Sequence, residues 1–280
     1  MSYVNNREIS CFGLRRSGNH ALINWIVKQN NDSFVHLNNV KLYTNKDPYK
    51  SFAEATISGI NPLVYHQGVV KFRRFIKYSL QPDVAYIYGG NRPELDREQL
   101  RIQFKTLLIH SYEHYTLSQV LGSWFEEKRT KFLGKSQRCF DLLLLRDPYN
   151  TFASLIKRGE KLDDPHAVIQ KWIDHAKEYL GLSSYLQNRV SVNYNYWFTD
   201  KQYRQELAQS LGLSFTDAGI DTVSAVGRGS SFDKTAYDGK ASQMPVLLRY
   251  QKYLDHPVML KVLANKELNE LSEEIFGPIL

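Results

Sequence analysis

Apolar residues along this chain gather into short continuous runs separated by stretches with a helical period. The segments "EISCFGL" (8–14), "SFVHL" (33–37), "KTLLIH" (105–110), "CFDLLLL" (139–145) and "RVSVNY" (189–194) have the length and composition of core strands. Between most of them run helical patterns: "HALINWIVKQ", "PYNTFASLIKRG", "PHAVIQKWIDHAKEYLGL" and "KQYRQELAQSLGL". Strands alternating with helices predict parallel βαβ units and an α/β fold, with a central, mostly parallel sheet between helices as a three-layer arrangement. Right-handed crossovers gather the strand carboxyl ends, and any ligand, on one edge. No internal repeat or low-complexity linker interrupts the chain, so a single domain over 1–280 is expected. Residues 40–100 break the rhythm and are expected to form an insertion or cap. Within them "VVKFRRFIKYSL" sets Val69, Phe72, Ile76 and Leu80 on one helical face and Lys71, Arg74 and Lys77 on another, the pattern of a solvated basic face.

Composition adds a sign to this picture. The chain has 280 residues, enough for a core of ordinary size, and 36 Lys and Arg against 29 Asp and Glu leave a net charge of +7. That balance suits an anionic ligand, a nucleic acid or an acidic surface without choosing among them. No apolar run is long enough to span a bilayer, and the polar start "MSYVNNREIS" lacks the apolar centre of a signal peptide, so a soluble cytoplasmic protein is expected. Cys11 and Cys139 each open a strand-like run and read as small buried hydrophobes in the reduced state. The 18 tyrosines fall largely within core-like segments rather than along an exposed basic stripe, which argues against nucleic acid as a partner.

Candidate chemistry concentrates at two strand ends. In "CFGLRRSGNHALINWI" a strand passes abruptly into a helix. Such a turn presents free backbone N–H groups where the helix dipole favours negative charge. Gly18 allows close approach to the backbone, and Arg15 and Arg16 offer guanidinium groups to phosphate or sulfate oxygens. The nucleotide-hydrolase pattern G-x-x-x-x-G-K-[ST] is absent from this turn. Elsewhere the "GKS" of Gly134, Lys135 and Ser136 has Arg129 in place of the leading glycine. The second strand end is "LLLLRDPYNTFASLIKRG", where Asp147 suits a helix cap and Pro148 a first helical turn. Arg146 at the strand end and Ser154 two helical turns on would then clasp a second phosphate.

The pairing of an R-S-G turn with an R-D-P corner and a serine eight residues past its arginine resembles the sulfotransferase family, whose donor is 3′-phosphoadenosine 5′-phosphosulfate. "RVSVNYNYWFTDKQYRQELAQSLGLSF" resembles that family's strand ending in a tyrosine, its following helix and its Leu-Gly-Leu ending. The resemblance implies a P-loop NTPase-like sulfotransferase fold; residues 40–100 match no part of it and are expected to form an acceptor-side insertion or cap. It places Arg16, Ser17, Gly18, Asn19 and His20, beside Arg15, in the loop around the 5′ phosphosulfate, with Arg15 expected to contribute less than Arg16, and it places Arg146 and Ser154 at the 3′ phosphate and Tyr194 at the adenine edge. In "VGRGSSFDK", Arg228 and Gly229 resemble the late basic loop that closes over the 3′ phosphate. Many relatives carry paired hydroxyl residues where this chain has Asn19 and His20, so amide and backbone N–H groups would take over those contacts.

Sulfuryl transfer demands positioning and charge stabilisation, needs no metal, and yields adenosine 3′,5′-bisphosphate. Arg16 would stabilise the departing phosphate. The acceptor, a hydroxyl or amine on a sugar, lipid, peptide or small phenol, must lose a proton to a base. His110, at the end of "KTLLIH", is the first candidate, followed by Glu113 and His20. Two other functions fit the pattern: a nucleotide- or polyanion-binding protein of the same fold without transferase activity, and a P-loop nucleotide kinase, which the missing Lys-[ST] pair disfavours.

Overall fold

The computed structural model describes residues 3–30, 32–40, 42, 54–58, 84–88, 104–113, 115–159, 164–224 and 229–279. Among the described residues seven strands form one sheet: β1 (Tyr3–Gly13), β2 (Phe34–Asn38), β3 (Glu54–Ser58), β4 (Val84–Tyr88), β5 (Lys105–Glu113), β6 (Lys135–Leu145) and β7 (Arg189–Asn193), in the order β4-β3-β2-β5-β1-β6-β7. The five strands read from sequence form the all-parallel centre, flanked by helices. β3 and β4 add an antiparallel edge, with Phe34 opposite Ser58 and Glu54 opposite Tyr88. Part of the 40–100 segment therefore extends the sheet. The rest of that segment, including the amphipathic pattern of 69–80, lies outside the described residues.

The chain divides into two compact units. The first comprises 1–12, 30–113 and 117–142. Its core is built by Ile9, Cys11 and Phe12 of β1, Val35 and Leu37 of β2, and Leu107, Leu108 and Ile109 of β5, all buried. β2 and β5 run parallel, with Leu37 opposite His110. Helices α2 (Leu117–Leu121) and α3 (Trp124–Leu133) follow β5, and the Ser123 side chain caps α3 by accepting from the Glu126 amide. Both cysteines are free thiols. Cys11 is buried as expected, with its pKa pushed up to about 12 by burial, whereas Cys139 is half-buried and lies within β6 rather than opening it.

The second unit comprises 13–29, 114–116 and 143–280. It contains α1 (Asn19–Lys28), α4 (Pro148–Arg158), α5 (Pro165–Leu180), α6 (Tyr194–Thr199), α7 (Lys201–Ser210), α8 (Pro257–Leu263) and α9 (Lys266–Phe276). Phe152, Trp172, Ile173, Met259, Val262 and Leu268 form its apolar centre, each worth about 1.5–3 kcal/mol of burial. α4 begins as its sequence dictates: Asp147 accepts from the Asn150 amide at 2.8 Å, Pro148 fills the first turn, and Gly159 ends the helix at φ 67°. No helix among the described residues is long and apolar enough to cross a membrane.

Candidate functional site

In the second unit the two strand ends singled out by sequence come together. After β1 the chain turns sharply: Ser17 N–H donates to Leu14 O at 3.3 Å, Arg16 takes φ 68° and Gly18 takes φ 98°. Gly18 stands at the N-cap and makes no side-chain cap, and its carbonyl accepts from the amides of Ala21 and Leu22 in the first turn of α1. A Cβ on Gly18 would lie 2.1 Å from Tyr194 Cε2, which shows how closely the tyrosine ring rests on the turn. Asn19 is buried and its Nδ2 donates to Leu14 O at 2.9 Å, fastening the turn from within. Arg15 and His20 are half-buried on the same turn.

Arg16 Nε donates to Ser154 Oγ at 3.3 Å, joining the turn to α4. Arg146 donates through Nη1 to Arg16 O at 3.3 Å and through Nη2 to Val246 O, and its guanidinium carbon sits 5.0 Å above the Tyr194 ring. The backbone carbonyl of Arg146 accepts from Trp172 Nε1 at 2.9 Å, which fixes the strand end against α5. Arg16, Gly18, Arg146, Ser154 and Tyr194 thus form one constellation. Arg146 Nε and Ser17 Oγ are buried with no hydrogen-bond partner among the described residues.

Three contributors to this region, Ser231, Asn150 and Arg249, were given no role by the sequence reading, although the first two lie within its quoted stretches. Ser231 Oγ lies 3.0 Å from Ser154 Oγ. Its loop closes through paired backbone bonds between Ser230 and Lys234, and Gly229, at φ 81°, packs against the Lys234 carbonyl. Arg228 lies outside the described residues. Asn150, buried in α4, accepts from the amides of Arg249 and Tyr250 and donates to Asp147 and Leu247 O. Arg249 pairs with Asp233 and stacks 4.6 Å over the Phe232 ring. Burial raises the Asp147 pKa, against the opposing pull of Arg146 and the Asn150 hydrogen bonds.

His110 lies in the first unit, fully buried, with Nε2 2.8 Å from Glu8 Oε1. Arg129 Nε approaches the same oxygen at 3.1 Å, Ser136 Oγ donates to Glu8 Oε2, and Cys139 Sγ lies 3.9 Å from Oε2. Burial would raise the Glu8 pKa, but the contacts with His110, Arg129 and Ser136 win and hold it at about 2. An ionised carboxylate accepts hydrogen bonds only, so His110 Nε2 carries the proton in this contact. Lys135 and Ser136 of the "GKS" stretch are therefore strand residues of β6, and Ser136 serves Glu8. Glu113 is buried at the end of β5, where its charge, after burial, helps raise the Cys11 pKa.

No family model matches the chain, and no curated protein matches it in sequence. Among solved structures it is similar to the sulfotransferase domain from the Synechococcus PCC 7002 olefin synthase, at 14% identity over 98% of this chain and 95% of that one, with a TM-score of 0.46. It is also similar to the sulfotransferase domain from the curacin biosynthetic pathway, at 14% identity over 95% of this chain and 96% of that one, with a TM-score of 0.43.

Proposed function

We propose that this chain is a sulfotransferase that passes a sulfuryl group from 3′-phosphoadenosine 5′-phosphosulfate to a hydroxyl or amine acceptor and releases adenosine 3′,5′-bisphosphate. The reading rests on one observation: Arg16, from the turn after β1, meets Ser154 and the backbone-anchored Arg146 from the corner after β6. The buried, unpartnered Arg146 Nε and Ser17 Oγ are donors that phosphate oxygens would satisfy, so the residues present suit the donor nucleotide.

The donor supplies an activated sulfuryl group on a phosphate leaving group. Arg16 and the first amides of α1 stabilise the charge that grows on that phosphate, each such donor being worth about 3 kcal/mol in comparable sites. Arg146 and Ser154 bind the 3′ phosphate, and the Tyr194 ring, held between Gly18 and Arg146, faces the adenine. The acceptor proton passes to His110, whose ring Glu8 orients, or to Glu113 or His20.

Thermal shift decides whether the site reads two phosphates. Adenosine 3′,5′-bisphosphate is expected to stabilise the protein more than AMP or ADP, without magnesium. Arg146→Ala should weaken the bisphosphate by about 2–4 kcal/mol while leaving AMP nearly unaffected. Equal stabilisation by AMP and the bisphosphate in the unaltered protein would remove the reading.

A further inference from the structure

Arg249 is the third guanidinium of this region, and no sequence motif announces it. Segment 246–250 is pinned to the corner after β6: Val246 O accepts from Arg146, Leu247 O accepts from Asn150 Nδ2 at 3.0 Å, and the Arg249 amide donates to Asn150 Oδ1 at 2.9 Å. From that pinned backbone the Arg249 side chain reaches back across Phe232 to Asp233, on the loop that also brings Ser231 to Ser154. Asp233 occupies Nη2. Nε is buried and has no hydrogen-bond partner among the described residues, although Arg249 as a whole is 6% exposed.

Its electrostatic setting is equally one-sided. Burial lowers the Arg249 pKa, and the like charge of Arg146 lowers it further, against the pull of Asp233 and Tyr194. Arg146, itself 3% exposed, also has an unmet Nε among the described residues. Two buried guanidiniums that repel each other, each with a spare N–H, are costly in an empty site and favourable around a multivalent oxyanion. Asp233 supplies one carboxylate, on the Nη2 side and partly exposed.

We infer that Arg249 is a further ligand-binding residue, a third guanidinium that joins Arg146 on the phosphate carried by the ribose, with Asp233 as its resident counter-ion. This inference rests on the donor reading for the identity of the phosphate. It adds a specificity element: the site distinguishes a nucleotide bearing a second phosphate from one without it by two buried arginines rather than one. A bland alternative makes Arg249 a tie that holds the 229–234 loop through Asp233. The two readings predict opposite behaviour when the ion pair is broken from the Asp233 side.

The experiment measures ligand-induced thermal stabilisation and calorimetric affinity for unaltered protein, Arg249→Met and Asp233→Asn, each referred to its own ligand-free state. Arg249→Met should bind adenosine 3′,5′-bisphosphate about tenfold or more weakly while AMP changes by less than about twofold. Asp233→Asn, which breaks the pair but leaves the guanidinium, should bind the bisphosphate at least as tightly as unaltered protein. Weakening of both variants alike would make Arg249 a loop tie and overturn the inference, as would an unchanged Arg249→Met. Inorganic sulfate, titrated in parallel, separates the two readings. Should the unaltered protein not prefer the bisphosphate over AMP, the donor reading fails, and the arginine inference is then judged on sulfate. Loss of sulfate stabilisation in Arg249→Met but not in Asp233→Asn supports it. Equal sulfate stabilisation in all three proteins overturns it.

Discussion

Single atoms decide how much of the turn after β1 tolerates change. Gly18 combines φ 98° with a tyrosine ring 2.1 Å from where a Cβ would stand, so Gly18→Ala meets both backbone strain and a clash. Gly159 has φ 67° with nothing within 4 Å of the place a Cβ would take, and it isolates the strain alone. We expect Gly159→Ala to cost about 1–2 kcal/mol and Gly18→Ala clearly more, with Tyr194→Ala restoring part of the difference in the double variant. Urea denaturation of the unaltered protein, the three single variants Gly159→Ala, Gly18→Ala and Tyr194→Ala, and the Gly18→Ala/Tyr194→Ala double variant checks this, and equal costs at the two glycines would mean that the ring moves aside freely. The base is also a residue-scale question. His110→Ala should lower turnover with a phenol acceptor by about two to four powers of ten, counted per molecule that still binds adenosine 3′,5′-bisphosphate. Near-normal turnover in that variant, with Glu113→Gln or His20→Ala inert, would pass the role to the carboxylate or to the turn. Arg16, Gly18, Arg146 and Ser154 were legible because each sits at a fixed offset from a strand end, where chain direction brings it to the same edge, whereas Tyr194 entered only through the family resemblance. Ser231, Asn150 and Arg249 were not, because their roles depend on a chain return of about a hundred residues that leaves no local spacing, as in the bond from Arg249 N to Asn150 Oδ1.

At the scale of elements, the corner between β6 and α4 organises the second unit. The buried Asn150 amide satisfies two backbone N–H groups, one carbonyl and the Asp147 carboxylate at once. Asn150→Ala strands these groups and should cost about 2–4 kcal/mol. Asn150→Asp preserves shape but sets a second carboxylate beside Asp147, so its loss should be largest at neutral pH and shrink on acidification, as one of the two takes a proton. Urea midpoints at two pH values test the sign, and a pH-independent loss would exclude charge repulsion as the cause. The same scale explains what the apolar pattern revealed. The central parallel strands carry near-continuous apolar runs because both faces are covered, as in the fully buried Leu142–Leu145 stretch of β6. Their ends were less visible: β1 begins at Tyr3 and β6 at Lys135, through residues that break the apolar run and, apart from the buried Asn5, are exposed or half-buried. β3 and β4 were missed because each is a five-residue antiparallel strand and no helical crossover pattern frames it.

For the molecule as a whole, the buried ionisable groups set how stability follows pH. His175 is buried in α5 with Nδ1 2.7 Å from Lys171 O, and burial outweighs that contact to lower its pKa below the usual value. A lowered histidine pKa means that the folded state prefers the neutral ring. Its contribution is complete above about pH 6.5 and is lost as pH falls through the folded value. Glu8 follows at lower pH: held at about 2 by His110, Arg129 and Ser136, it stabilises the folded chain above its unfolded value near 4.5 and loses that contribution as pH drops toward 2. The difference corresponds to about 3 kcal/mol. Asp147 acts in the opposite sense, because burial raises its pKa and the folded state gains as it takes up a proton. Unfolding free energies measured in urea from pH 8 to pH 3 should therefore fall on acidification in two stages. His175→Gln should remove the first stage, below about pH 6.5, and leave the second. Glu8→Gln should remove the second while lowering stability at neutral pH, because it uncharges the partner of Arg129 and His110. If His175→Gln left the slope between pH 6.5 and 5 unchanged, His175 would not be the group that takes up the proton there. If Glu8→Gln retained the steep loss below pH 4.5, acid unfolding would start at carboxylates outside the cluster that holds His110.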